Sequence, residues 1–288
     1  MATLREIKRR ISGVRSTQQI TKAMKMVAAA KLRKAQEAII STRPYAQKLA
    51  HTIGHLVARV EETRIPLLQT REMNKVLMVV VTSDRGLCGA FNHNLLRFAL
   101  SRIDQYNEEE IFLFPVGRKG YSFLEKRNYD IFAHKIQFFN ALEFNDASEI
   151  VDKLVSAYCD RVFDKIEIIY NEFKSAIQQN ITVEQILPFV PEETMMAEKS
   201  GIDFLYEPDK PQILNYIIPK HLSIQMWKIL LESNAAEQGA RMAAMESATE
   251  NAQELIAYLT LTYNRARQAA ITKEISEIVG GAEALKEK

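Results

Sequence analysis

Sixty residues, Lys220 to Val279, contain no proline, no aspartate and one glycine, Gly239. Glutamate supplies every acid there, and Ala, Leu, Met, Gln and Arg, all strong helix formers, recur throughout. A continuous helix of that length reaches ~90 Å, while the mean globular helix has about eleven or twelve residues, so one compact domain cannot contain it. A heptad reading places Ile224, Leu231, Gln238, Met245, Ala252, Leu259 and Ala266 on one column. Trp227, Asn234, Arg241, Ala248, Leu255, Thr262 and Ala269 form the next. Most are apolar, which predicts a coiled-coil seam on a helix that ends at the Gly280–Gly281 stop signal.

The other end of the chain repeats the pattern. Leu4, Ile11, Leu32, Ile39, Ala46, Ile53 and Val60 share one column, and Ile7, Val14, Ala28, Ala35, Leu49 and Leu56 the other. Gln18, Thr21, Lys25 and Thr42 interrupt it. Near the first three, Ile20, Met24 and Val27 offer a neighbouring column, which predicts a phase shift. Pro44 predicts a kink. Two such helices in one chain can bury their seams on each other only by pairing antiparallel. Aligning the polar interruptions sets Gln18, Thr21 and Lys25 against Asn234, Gln238 and Arg241, so that paired numbers total roughly 260. The last ~25 residues, from about Ala266, then run on unpaired, exposing Ile271, Ile275, Ile278 and Val279 at helical spacing.

Between the two ends the pattern changes. KVLMVVVTSD from Lys75 is a β-branched run followed by glycines, and apolar runs then alternate with helical patterns. Strands are predicted at 76–82, 111–116, 130–136, 165–171 and 181–190, with a short one at 203–206. Helices are predicted at 92–106, 119–126 and 148–163, and a small one from Gln212. This alternation describes an open α/β sheet covered by helices. The predicted divisions are a helix over 1–60, an inserted domain over 70–210, and a helix with an unpaired tip over 212–288.

Hydrophobic residues make up 47 % and charged residues 26 %, ordinary for a soluble protein. No run approaches the ~20 apolar residues of a membrane span, and we expect neither a transmembrane segment nor a secretory leader. Charge is uneven. Residues 1–34 hold ten of the 38 lysines and arginines against one acid, Glu6. Such a basic helix suits an anionic protein, nucleic acid, a membrane surface or plain solvent. The segment has no aromatic residue for base stacking, and heptads running through it argue against a groove-reading helix.

Candidate chemistry is sparse. SDRGLCGAFN, Ser83 to Asn92, follows a strand and opens a helix, yet it lacks the spacing of a phosphate loop or a nucleophile elbow. Gly86 and Gly89 read as tight packing, and Cys88 as structural. Cys88 and Cys159 are far apart, with no CxxC. His51 and His55 lie one helical turn apart, but no cysteine or carboxylate pattern completes a zinc site. GRKG at Gly117 reads as a helix start.

Three stretches taken together, MATLREIKRRISGVRSTQQITKAMKMVAAAKLRKAQ, TSDRGLCGAFN and NRARQAAITKEISEIVGGA, resemble the gamma subunits of F-type ATP synthases in order and spacing. AEQGARMAAMESATENA and the YEPD segment at Tyr206 extend the likeness over essentially the whole chain. The resemblance implies a long antiparallel coiled coil of the N- and C-terminal helices with an inserted Rossmann-like α/β domain.

It further implies a non-catalytic, cofactor-free rotor subunit, one copy per complex. The shaft turns inside alternating alpha and beta subunits, coupling proton or sodium flow to ATP synthesis. The implied partners are alpha, beta and epsilon subunits and the membrane c-ring, with no nucleic acid. The implied location is peripheral, on the cytoplasmic face of the bacterial inner membrane. By motif position, Met24 and Arg241 match positions near the lever contact, and Arg267, Gln268 and Thr272 match positions touching a beta-subunit loop. Ile271, Ile275 and Ile278 match an apolar bearing. Arg9, Arg10, Lys22, Lys25, Lys31 and Arg33 form a basic face toward an acidic beta-subunit loop. Tyr206, Glu207 and Pro208 match the stalk foot at the ring and epsilon. A coiled-coil adaptor or basic-helix nucleic-acid binder, and an α/β enzyme with helical extensions, are the alternatives.

Overall fold

The computed structural model describes residues 4–57, 65–106, 110–176, 178–190 and 209–286. In order these form α1 (Leu4–Val57), β1 (Lys75–Val81), α2 (Phe91–Ile103), β2 (Glu110–Val116), α3 (Arg118–Glu125), α4 (Phe144–Cys159), β3 (Lys165–Phe173), β4 (Gln179–Leu187) and α5 (Lys210–Lys286). The chain divides into two compact units, one of residues 1–27 with 242–288 and one of residues 28–241. Each therefore holds a part of α1 and a part of α5.

In the larger unit the sheet order is β2-β1-β3-β4, parallel except for the final antiparallel β3–β4 pair. β1 is buried on both faces because its alternate residues serve two cores. Leu77, Val79 and Val81 join a cluster with Leu56 of α1, Leu154 of α4 and Leu222 and Met226 of α5. Met78 and Val80 point the other way, toward Leu95 of α2, Leu124 of α3 and Ile169. The sheet is thus covered by helices on both sides, and the two terminal helices supply part of one cover. Leu32, Ala35 and Ile39 of α1 also share a buried cluster with Leu231 and Ala235 of α5.

Several expectations are corrected. Segment 130–136 touches β2 only through isolated bridges, Leu113 with Ile131 and Val116 with Lys135. Pro115 sits between them and has no N–H for that edge, so the ladder breaks there. No separate helix precedes Pro219, because α5 starts at Lys210 and runs through it. Burial of Leu214, Ile218 and Leu222 in the main core holds the helix across the missing hydrogen bond. Pro44 likewise lies inside α1. At the far end Gly280 and Gly281 do not stop α5, which continues through an Ala-Glu-Ala-Leu-Lys run of good helix formers. The strand expected at 203–206 lies outside the described residues.

Candidate functional site

In the smaller unit α1 buries or half-buries Leu4, Ile7, Ile11, Val14, Gln18, Thr21 and Lys25, and of the competing column Ile20, Met24 and Val27 only Met24 is half-buried. Spacing alternates three and four throughout, so the seam keeps one phase. The expected phase shift does not occur: Ile20 is 56 % exposed, and Val27 is exposed as well. Polar residues can stay in the seam because they find partners there. Thr21 Oγ1 lies 2.7 Å from Thr249 Oγ1, 3.1 Å from the Gln18 carbonyl, and Thr249 Oγ1 is 2.7 Å from the Met245 carbonyl. Each hydroxyl has one proton, so one threonine donates across the seam and the other to its own helix. Lys25 pairs with Glu246.

These contacts fix an antiparallel register about ten residues, nearly three turns, further along α5 than expected. Thr21 and Lys25 face Thr249 and Glu246 instead of the group Asn234, Gln238 and Arg241. The α5 seam continues through Ala252, Ile256, Leu259, Tyr263, Ala266 and Ala270, with Leu255 left outside. Both Leu255 and Ile256 are apolar, and only the phase set by α1 separates them. As a result the fully exposed stretch begins later than Ala266. Every side chain from Ile271 to Ala282 is exposed.

The expected contact residues fall into distinct settings. Arg267, Gln268, Ile271, Thr272, Ile275 and Ile278 all stand on the open surface of α5, Ile278 at 71 % exposure. Arg9, Arg10 and Lys22 are exposed on α1 in the same unit, and Met24 is half-buried. Lys31 and Arg33 are exposed in the larger unit, where Arg33 pairs with Glu37 at 2.9 Å. Tyr206, Glu207 and Pro208 lie outside the described residues, as does the side chain of His55. Sequence reading missed a further open apolar set on α5, Leu255, Tyr258 and Leu261. The heptads hid it, because Leu255 falls on a predicted seam column and only the phase fixed by α1 moves it outside.

Arg241 has a different role from the others. It is 9 % exposed, pairs with Glu237 at 2.6 Å and donates to the Gly86 carbonyl at 3.1 Å. Burial pushes the Glu237 carboxyl above its usual range, and Arg241 acts against that shift. Arg241 thereby ties the 83–92 loop to α5, while Ala236 and Ala240 pack with Cys88 and Phe91. A methyl group at Gly239 would lie 3.0 Å from the Ala176 carbonyl oxygen, so α5 and the turn after β3 are in close backbone contact.

The loop is a scaffold. Ser83 N–H donates to Asn92 Oδ1 at 2.9 Å, and Asn92 Nδ2 donates to Ser83 Oγ at 2.7 Å. Asp84 accepts the N–H groups of Arg118, Gln137 and Phe139, anchoring the start of α3. Cys88 is buried, and burial pushes its thiol up, away from the thiolate a nucleophile needs. Across the sheet, Glu167 receives Arg102 at 3.0 Å and Lys165 at 2.6 Å. Burial opposes its charge, but these donors outweigh burial and hold its carboxyl below the usual range.

Residues 3–285 match the family described as ATP synthase. The ATP synthase gamma chain of Prosthecochloris aestuarii is 50 % identical over 99 % of each chain. The gamma chain of Chlorobaculum parvum is 50 % identical over the full length of both. The chain belongs to the ATP synthase gamma-chain family.

Solved structures agree with that family's fold. A chain of the central stalk/c-ring structure of Tetrahymena thermophila mitochondrial ATP synthase is 28 % identical, with a TM-score of 0.62, covering 80 % of this chain and 99 % of that one. A chain from the Euglena gracilis mitochondrial ATP synthase OSCP/F1/c-ring structure, 22 % identical, has a TM-score of 0.69 with 98 % and 94 % coverage. As a gamma chain, the molecule has long terminal helices flanking a mixed sheet. No helix among the described residues is long and apolar enough to cross a membrane.

Proposed function

We propose that this chain works as the central-stalk rotor of an F-type ATP synthase. Paired α1 and α5 turn inside a ring of alternating alpha and beta subunits, and the α/β body connects that shaft to epsilon and the membrane c-ring. One observation carries the reading: α1 and α5 pair through Thr21–Thr249 and Lys25–Glu246, in a chain half identical along its length to gamma chains. The chain has no catalytic part of its own. Its complex sits as a peripheral assembly on the cytoplasmic face of the bacterial inner membrane.

The surface of the shaft explains how rotation becomes chemistry. Around its circumference the smaller unit offers unlike patches: cationic Arg9, Arg10 and Lys22, apolar Ile20 and Val27, and apolar Leu255, Tyr258 and Leu261. Each surrounding beta subunit meets a different patch at a given angle. Differential contact energy then biases each nucleotide site toward a different affinity, which is coupling free energy between distant sites. The cationic patch attracts an acidic beta-subunit loop over a Debye length of about 8 Å, a range suited to a sliding contact. Arg267, Gln268 and Thr272 meet a second beta-subunit loop, Met24 lies near the lever contact, and Ile271, Ile275 and Ile278 turn in an apolar bearing. Arg241, like Met24, lies near the lever contact. Tyr206, Glu207 and Pro208 form the foot.

The test is direct. Cys159 is exposed and Cys88 buried, so a thiol probe can be attached to Cys159 of this chain before the complex is assembled and its hexamer fixed. ATP should drive rotation of the probe. ATP hydrolysis by an intact complex with a stationary probe would overturn the proposal.

A further inference from the structure

Within the larger unit, α1, α5 and the β3–β4 pair enclose a groove of about 410 Å³. Its apolar wall includes Ile39, Ala46 and Ile224, and three carboxylates face it, those of Glu172, Glu184 and Glu232. Two of the three are already engaged. Glu184 accepts Tyr170 Oη at 2.6 Å and Gln225 Nε2 at 3.1 Å, and Glu172 pairs with Lys174 at 2.9 Å.

Glu232 differs from both. It is 7 % exposed, its Oε1 lies 3.9 Å from Lys228 Nζ, beyond hydrogen-bond distance, and its Oε2 has no hydrogen-bond partner. Burial pushes this carboxyl upward; the charges of Glu172 and Glu184 push the same way, against Lys228 and Lys174. Arg43, Lys228 and His221 also border the groove, and none is within hydrogen-bond reach of Oε2. A buried carboxylate oxygen with no donor is unfavourable, so the groove is incomplete as it stands.

We infer that this groove is a binding site for an organic cation, an alkylguanidinium or alkylammonium group, whose N–H donors meet the Glu232 carboxylate while its stem lies along Ile39, Ala46 and Ile224. A planar guanidinium fork suits carboxylate oxygens, and a short alkyl stem matches the apolar wall. The cation can be a small molecule or the basic side chain of a partner subunit.

The experiment uses the full chain with butylguanidinium chloride as probe and butylurea, of the same shape without charge, as control. Ligand-observed NMR should show saturable binding of butylguanidinium and none of butylurea. Glu232→Gln should weaken binding by about tenfold or more, the usual effect of losing a charged hydrogen bond. Its thermal midpoint should not fall, because the change removes a buried charge. Ala46→Leu, which fills the wall and keeps Glu232, should weaken binding as well. Equal affinity of wild type and Glu232→Gln, equal binding of butylurea, or no saturation would overturn the inference. In the assembled complex, loss of probe binding identifies a partner's basic side chain as the occupant, and retained binding identifies a small molecule.

Discussion

Thr21 and Thr249 meet at 2.7 Å in the seam between α1 and α5, each also within reach of a carbonyl of its own helix. This contact satisfies two hydroxyls in an otherwise apolar seam and fixes how the helices are aligned. A slip of one turn would leave a half-buried hydroxyl against an apolar partner, so the pair disfavours neighbouring registers as polar seam residues do in other coiled coils.

The alignment can be read by crosslinking. With both positions changed, Thr21→Cys and Thr249→Cys should form a disulfide readily on mild oxidation, resolved on a non-reducing gel. Moving the second cysteine one turn, to Gln253, should reduce the yield sharply. Equal yields would mean that the helices slide and that Thr21–Thr249 does not set the register.

Glu167 gives a pH dependence of definite sign. Its folded carboxyl is held below the unfolded value near 4.5, so the stabilisation it provides is complete above that value and is lost as pH falls through the lower folded one. Glu167→Gln leaves Arg102 and Lys165 short of a partner at neutral pH and should cost about 3 kcal/mol there. Chemical denaturation at pH 7 and again well below pH 4.5 should show the cost shrinking in acid. A cost independent of pH would rule out the charge as its source.

Gly117 has φ of 100°, and an added methyl group would lie 2.2 Å from the Thr82 carbonyl oxygen. Gly117→Ala should therefore destabilise the larger unit by about 3 kcal/mol, combining backbone strain with a clash against rigid main chain. Thr82 gives a comparison, since its hydroxyl accepts the Gly120 N–H at 2.8 Å. Thr82→Val should cost less, about 1–3 kcal/mol, because no backbone has to move. Urea midpoints of the two variants should fall in that order.

The tip of α5 should separate stability from assembly. Because Ile271 to Ala282 are exposed, ending the chain after Ala270 removes no buried side chain among the described residues. The thermal midpoint of the isolated chain should change by less than about 0.5 kcal/mol equivalent, as for surface changes generally. Binding to the alpha and beta hexamer should weaken. Unchanged hexamer affinity would remove Ile271, Ile275 and Ile278 from the bearing.

The particular misreadings show where sequence stops being informative. β1 was legible because a run of Val, Leu and Met longer than a turn, ending at a glycine loop, suits a strand buried on both faces. Segment 130–136 carries Ile131, Phe132 and Ile136 among polar residues, and its pairing depends on Pro115 in a neighbouring strand, which local reading does not weigh. Ile20 and Val27 drew the seam toward themselves by hydrophobicity alone, whereas the helix keeps Gln18, Thr21 and Lys25 inside. Arg241 was singled out by its motif alone, and its pairing with Glu237 and the Gly86 carbonyl was not legible there because both partners are brought to it by the fold.

By itself the sequence determined that two long helices exist at the ends, that they run antiparallel, and that an α/β insert lies between them. Those outcomes follow from periodicity, propensity and chain connectivity, all of which are local or topological. Tertiary structure decided the register, the seam phase of α5 and the residues left facing outward. It could do so because Leu255 and Ile256, or Gln238 and Thr249, are nearly equivalent until a partner surface selects between them, and that selection depends on pairwise contacts more than two hundred residues apart.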